Sequence, residues 1–170
     1  MGMYEKYCVE LNIKKDVPPI KGKSPVYMFG QDYFRDAFSW TEVMTITDEF
    51  MMMEGTAKGK EKIVHIGPDG HKGGPYPKWI HNAEKVFLFC GTDLDHPEDL
   101  GATVEFHLGE GTQEEVLVFD QPRAVFVPKN LRHGPVYVKD FHRSLNVVSV
   151  LNAPNRQSAD IETDFTYEQE

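Results

Sequence analysis

The chain has 170 residues, with 18 Lys and Arg against 27 Asp and Glu, and a formal charge of −9. That length favours one domain whose core needs no disulfide or metal staple, and 40% apolar with 12% aromatic residues excludes wholesale disorder. No block of Lys and Arg is available to meet phosphates, so nucleic acid and anionic membrane surfaces are excluded as partners.

The N-terminal MGMYEKYCVELNIKKDV carries no apolar targeting core, and no apolar run is long enough to span a bilayer, so a cytoplasmic location is expected. Cys8 and Cys90 stand alone without a C-x-x-C pair, which excludes a zinc ribbon, a thioredoxin motif and a disulfide framework. The stretch Lys14 to Pro25 concentrates Pro, Gly and Lys and separates an N-terminal arm from the body. Helical spacing shows only in DYFRDAF, from Asp32 to Phe38, where one or two turns are predicted.

From Trp40 onward the apolar residues come in short runs: WTEVMTI, EFMMME, EKIVHI, KVFLFC, ATVEFHL, EEVLVF, RAVFVP, GPVYV and LNVVSVL. They are rich in Val, Phe, Tyr and Thr and bounded by Gly, Pro, Asp or Asn, which predicts strands. Gly109-Glu110-Gly111 offers left-handed backbone at two positions and predicts a hairpin loop. The fold class is therefore all-β, a sandwich or barrel of which the jelly roll is one closure. Residues 1–58 are read as an N-terminal arm with additional strands, 59–151 as the barrel and 152–170 as an acidic tail. The tail reads first as a frayed acidic terminus; the alternation of Ile161, Thr163, Phe165 and Tyr167 gives a second reading in which it adds to a sheet edge, in this subunit or another. The arm and tail together predict a homodimer.

Pro128-Lys129-Asn130-Leu131-Arg132-His133, led by the strand AVFV, and WIHNAEKVFLFCGTD carry a resemblance. The segment from Trp79 to Val148 resembles the cupin superfamily, whose first motif is a His-x-His with a downstream Glu and whose second is a Pro-x-Gly followed by His. The resemblance implies a jelly-roll β-barrel. Asn130 stands at the motif's Gly, and Asn is the non-Gly residue that best tolerates a left-handed backbone. Pro122 and Tyr137 replace the second motif's first Gly and its last Asn. In the first motif, His81 fits the second His, Trp79 holds the first His position, and Lys85 holds the Glu position, with Glu84 beside it.

A metal-bearing cupin, by resemblance, holds one divalent transition metal (Fe, Mn, Zn, Ni or Cu) with three His and one Glu around an open position. His81 and His133 match that set, with Glu84 as the carboxylate if a bulge at Asn82-Ala83 turns it inward. On a continuous strand, Trp79, His81, Lys85, Phe87 and Phe89 would instead share one face, with Glu84 turned away. Trp79 has only a donor to offer, and an inward Lys85 would repel a divalent ion.

Three readings follow. One is a binding protein or divergent enzyme with a small-molecule ligand in a pocket lined by Trp79, His81, Lys85, Phe89, His133 and Tyr137, and with no metal. Another is a metal-dependent oxygenase or isomerase using His81, His133, Glu84 and a third imidazole from His71. The last is a non-catalytic assembly protein with swapped arm and tail.

The remaining polar clusters read as ordinary structure. His71-Lys72-Gly73-Gly74-Pro75 fits no phosphate loop. Asp93, Asp95, His96, Glu98 and Asp99 lack EF-hand spacing and read as a solvated connection. Met51, Met52 and Met53 read as core filler. His65, His107 and His142 each occur singly and are given no role.

Overall fold

The computed structural model describes residues 11, 27–31, 33–48, 50–52, 66–67, 70–71, 79–154 and 160–163. Cys8, the stretch from Lys14 to Pro25, Met53, His65, the turn from Lys72 to Pro75, and Phe165 and Tyr167 of the tail lie outside them. Thirteen strands appear among the described residues, in chain order: β1 (Tyr27–Phe29), β2 (Trp40–Ile46), β3 (Phe50–Met52), β4 (Ile66–Gly67), β5 (Gly70–His71), β6 (Trp79–His81), β7 (Lys85–Gly91), β8 (Thr103–Leu108), β9 (Glu115–Phe119), β10 (Arg123–Val127), β11 (His133–Lys139), β12 (Leu145–Leu151) and β13 (Asp160–Thr163).

The first sheet has the order β1-β2-β12-β7-β10, and the second β13-β6-β11-β8-β9 with β3 also on β11. Every pairing is antiparallel. Strands β4 and β5 form a separate two-stranded sheet. The two large sheets pack face to face as a jelly roll, and the hydrogen-bonded ladders do not close into one barrel among the described residues.

Alternation builds the core. Met44 and Ile46, Phe87 and Phe89, Val125 and Val127, and Leu145 and Val147 point from the first sheet toward Val104, Phe106, Val136 and Val138 of the second. Phe87 and Phe89 meet Phe106 edge-on at 5.0 and 6.2 Å between ring centroids, and Phe89 meets Phe119 at 5.3 Å. Each such ring contributes roughly 1.5–3 kcal/mol by burial.

Several local expectations hold. Gly109 and Gly111 have φ of 80° and 57° in the β8–β9 loop, and a Cβ on Gly109 would lie 2.6 Å from the Gln113 carbonyl oxygen. Asn130 has φ 66°, the left-handed backbone expected of it. Of the two readings of the tail, the second is the one found over Asp160–Thr163, where β13 pairs with β6, in place of the frayed terminus read first.

Two expectations change. The segment around Tyr33 to Phe38 makes only isolated turns, with the N–H groups of Tyr33 and Phe34 both donating to the Gly30 carbonyl, so the one helical candidate is irregular. Strands β6 and β7 are also not one strand: β6 belongs to the second sheet and β7 to the first, with 82–84 crossing between them.

The register of β11 matters for the site. His133 lies opposite Leu108 and Val136 opposite Phe106, so three steps on β11 match two on β8, and a bulge falls between His133 and Val136. It puts His133 and Val136 on the same, inward face and turns Tyr137 outward with Glu105.

Candidate functional site

At one end of the inter-sheet layer the apolar filling gives way to polar groups. Strand β2 runs Trp40, Glu42, Met44, Ile46 along its inner face, and β12 runs Leu145, Val147, Ser149, Leu151 along its own. Glu42 and Ser149 lie directly opposite on these neighbouring strands. The Ser149 hydroxyl donates to Glu42 Oε2 at 2.9 Å and the Trp40 indole N–H to Oε1 at 3.4 Å, so the carboxylate is held from two sides.

Lys85 opens β7 on the same inner face as Phe87 and Phe89. Its Nζ lies 4.0 Å from Glu42 Oε2 and 4.7 Å from the centroid of the Phe87 ring, and both charged side chains are only 12% exposed. Burying two charges costs several kcal/mol each unless partners offset it, and here the counter-charge and the ring face do so.

The second sheet brings two imidazoles to this end. His81 and His133 are each 2% exposed, with ring centroids 5.0 Å apart, and His133 meets the Phe87 ring at 6.0 Å. A carbonyl oxygen only accepts, so in the 3.2 Å contact to the Leu131 carbonyl His133 Nδ1 is the donor. The turn before β11 is tied to β6 by the Asn130 N–H, which donates to the His81 carbonyl at 2.7 Å. Contacts thus run in series from Ser149 through Glu42, Lys85, Phe87 and His133 to His81.

The sequence candidates distribute as follows. His81 and His133 are brought together, and Lys85 reaches the Phe87 ring that His133 also meets. Glu84 is exposed; its main-chain carbonyl accepts from the Asn152 N–H at 2.8 Å and its side chain from the Asn152 amide at 3.5 Å. It sits in the crossing between sheets, and the crossing itself, not a bulge, decides that Lys85 points inward. Phe89 is part of the aromatic core, 1% exposed against Phe106 and Phe119, and Phe87 stands beside the polar groups instead. Tyr137 lies on the outer face of its sheet, against His107 at 5.6 Å and under the Lys139 ammonium at 5.2 Å, because of the bulge that precedes it. The backbone of Trp79 pairs with that of His133 across β6 and β11. His71 belongs to the separate β4–β5 pair.

Glu42, Ser149 and Trp40 were missed by sequence reasoning. The signal was present, since a Glu and a Ser occupy positions that strand alternation assigns to the buried face of WTEVMTI and LNVVSVL.

Elsewhere the polar clusters are committed to local structure. His107 Nδ1 bonds Glu114 at 2.5 Å and Lys139 bonds Glu105 at 2.6 Å. In the Asp-rich loop, Asp93 accepts from the Asp95 N–H at 2.9 Å and pairs with Arg143. Asp99 accepts from the Gly101 N–H at 2.9 Å and from His142 at 3.1 Å. These bonds hold both carboxyls below the usual range, Asp93 chiefly through the Asp95 amide and Asp99 chiefly through the Gly101 amide, while the Asp99 bond raises the His142 imidazole.

The described residues do not by themselves make up a cupin-type metal centre. Among the described residues no group of three or more His, Cys, Asp or Glu side chains could hold a metal ion. Among the described residues no third imidazole joins His81 and His133 in such a group, and the position where the resemblance expects a carboxylate holds Lys85.

A scan of protein-family models gives no match, nor does a search of curated proteins. Solved structures with similar folds include an oxalate oxidase in complex with the substrate analogue glycolate, 9% identical, covering 91% of this chain and 65% of that one at a TM-score of 0.51. Vicilin from Corylus avellana is 9% identical over 91% of this chain and 33% of its own, also at 0.51. Peruvianin-I, described as a cysteine peptidase from Thevetia peruviana latex, is 8% identical over 91% and 77%, at 0.53. The chain therefore spans less than two thirds of the oxalate oxidase and a third of the vicilin. Oxalate oxidase and vicilin are cupin-superfamily proteins, and the fold of this chain is the cupin jelly roll. No helix among the described residues is long and apolar enough to cross a membrane.

Proposed function

We propose that this chain is a small-molecule binding protein of cupin fold that works without a metal, its ligand held at the polar end of the inter-sheet layer. The observation that carries the reading is the inward Lys85–Glu42 pair, joined through the Phe87 ring to His133 and His81, in a layer whose other described core residues are largely Val, Leu and Phe. Clustered buried charge and imidazole of this kind cost stability and mark functional sites more often than structural ones. An ammonium, two imidazoles and aromatic edges suit a small polar molecule with an acidic group.

The metal-dependent oxygenase or isomerase reading has the His81–His133 pair in its favour and nothing further among the described residues. The assembly reading has the exchange of arm or tail between subunits as its basis, and the mass in solution is its test.

Two measurements test the proposal. Elemental analysis of protein purified without added metal should give well under one metal ion per chain, and a stoichiometric metal overturns the reading. Acetate, succinate and benzoate, titrated singly at millimolar concentration, should raise the melting temperature of the wild type for at least one of them. Lys85→Met should abolish that rise.

A further inference from the structure

The outer face of the first sheet breaks the rule that builds its inner one. In an antiparallel sheet with one side in water, apolar residues face the core and polar ones alternate outward. Here Val86 and Leu88 of β7, Val148 and Val150 of β12, and Ala124 and Phe126 of β10 all point outward, in the phase opposite to the core residues Phe87, Val147 and Val125. The registers set them side by side: Leu88 lies between Ala124 and Val148, and Val86 between Phe126 and Val150. The first of these rows continues to Val43 on β2 and to Tyr27 on β1. No outward position in the paired stretches of β2, β12, β7 and β10 holds a charged residue, in a chain of net charge −9.

Strands apolar on both sides belong to sheets covered on both sides, yet this side is open. Leu88 is 37% and Phe126 56% exposed, and Ala124 and Cys90 are exposed with them. The second sheet differs: β11 is buried from His133 to Val138, and its outer side carries the Glu105–Lys139 ion pair.

We propose that the outer face of the first sheet is the surface on which a second copy of this chain docks, two such faces stacking about a two-fold axis with Leu88 and Val148 at the centre and Phe126 at a corner. Charge selects this occupant. Two chains of charge −9 repel wherever their charged surfaces meet, and an uncharged face is both the approach with least repulsion and complementary to itself. The area agrees: the face offers on the order of 600 Å² per copy, against about 800 Å² per partner in a standard interface. Tyr27 gives continuity with the arm, since it lies on this face at the sheet edge, 37% exposed, and residues 1–26 lead into it. The arm therefore starts from the rim of the same contact. No ligand enters this inference, because Lys85 and Glu42 are on the other side of the sheet.

Light scattering on the full chain should give two subunits at high micromolar concentration. Leu88→Lys sets like charges against each other at the centre and should raise the dissociation constant at least about 30-fold. Cys90, on the same face, reports the contact directly. Its alkylation by N-ethylmaleimide, followed on the peptide that carries it, should be about 10-fold slower in the wild-type dimer than in Leu88→Lys. Should Leu88→Lys fail to fold, as its circular dichroism would show, Ala124→Lys at the exposed position beside it takes its place. A wild type that is monomeric throughout overturns the inference, and a shielded Cys90 in that monomer would mean that something other than a second copy covers the face. A dimer that withstands both lysines also overturns it, and its loss on deleting residues 1–16 would then place the contact on the arm alone.

Discussion

Glu42 and Ser149 face each other across β2 and β12, and the Ser149 hydroxyl hands its hydrogen bond to Glu42 Oε2 at 2.9 Å. The bond fixes the carboxylate on the inner face, where Lys85 is its ionic partner. Glu42→Gln removes one counter-charge from that ammonium and should cost about 3 kcal/mol. Ser149→Ala removes one donor to a charged group and should cost about 2 kcal/mol. In Glu42→Gln/Lys85→Met the penalty should fall below the sum of the single changes, the mark of a coupled pair. Urea unfolding of the four variants and the wild type measures all of this.

Phe89 and Phe126 are both strand phenylalanines but differ in role. Phe89 is 1% exposed in the aromatic core and Phe126 is 56% exposed on the outer face of β10. Phe89→Ala should destabilise by about 3–5 kcal/mol, and Phe126→Ala by no more than about 0.5 kcal/mol. Equal denaturation midpoints for the two would contradict the assignment of faces.

The bond between His142 and Asp99 makes stability depend on pH from both sides. His142 is raised by Asp99, so its contribution is full below the free imidazole value of about 6.5 and is lost as pH rises through the higher folded value. Asp99 is lowered, first by the Gly101 amide and then by His142, so its contribution is full above the free carboxyl value of about 3.9 and is lost as pH falls through the lower folded value. The pair is complete between about pH 4 and 6.5. His142→Ala should lower the urea midpoint in that window and converge on the wild type at higher pH. A difference between the two proteins that is constant from pH 5 to 9 would show that the pair is not the cause.

We propose that the chain is a homodimer with the arm in its interface, since β13 occupies an edge of its own second sheet and leaves the arm as the segment to be exchanged. Deleting residues 1–16 should lower the mass in solution from two subunits to one by light scattering. An unchanged mass places the contact elsewhere.

Much of this fold was legible because strands announce themselves by composition and alternation. WTEVMTI and LNVVSVL form β2 and β12 over their full length, and the Pro128 to His133 motif delivers His133 into the inter-sheet layer. Short elements were not legible: Trp79–His81 is three residues, too few for a period, so the jump from one sheet to the next before Lys85 could not be read. Glu42 was overlooked because a Glu within a strand reads as solvated until its neighbours in phase, Trp40, Met44 and Ile46, are seen to be buried. Tyr137 was assigned to the pocket by the motif position it fills, and the broken ladder between His133 and Val136, which a motif does not reveal, puts it on the other face of β11.

That broken ladder makes β11 two half-strands of opposite phase joined between His133 and Val136, with Gly134 at φ 90° in the joint. Chain length at this joint therefore encodes direction. Removing one residue there, with every other side chain kept, would carry the His133 imidazole out to the side where Tyr137 lies and leave His81 facing an empty position. The site should consequently tolerate exchanges of side-chain chemistry better than any change in the number of residues at that joint.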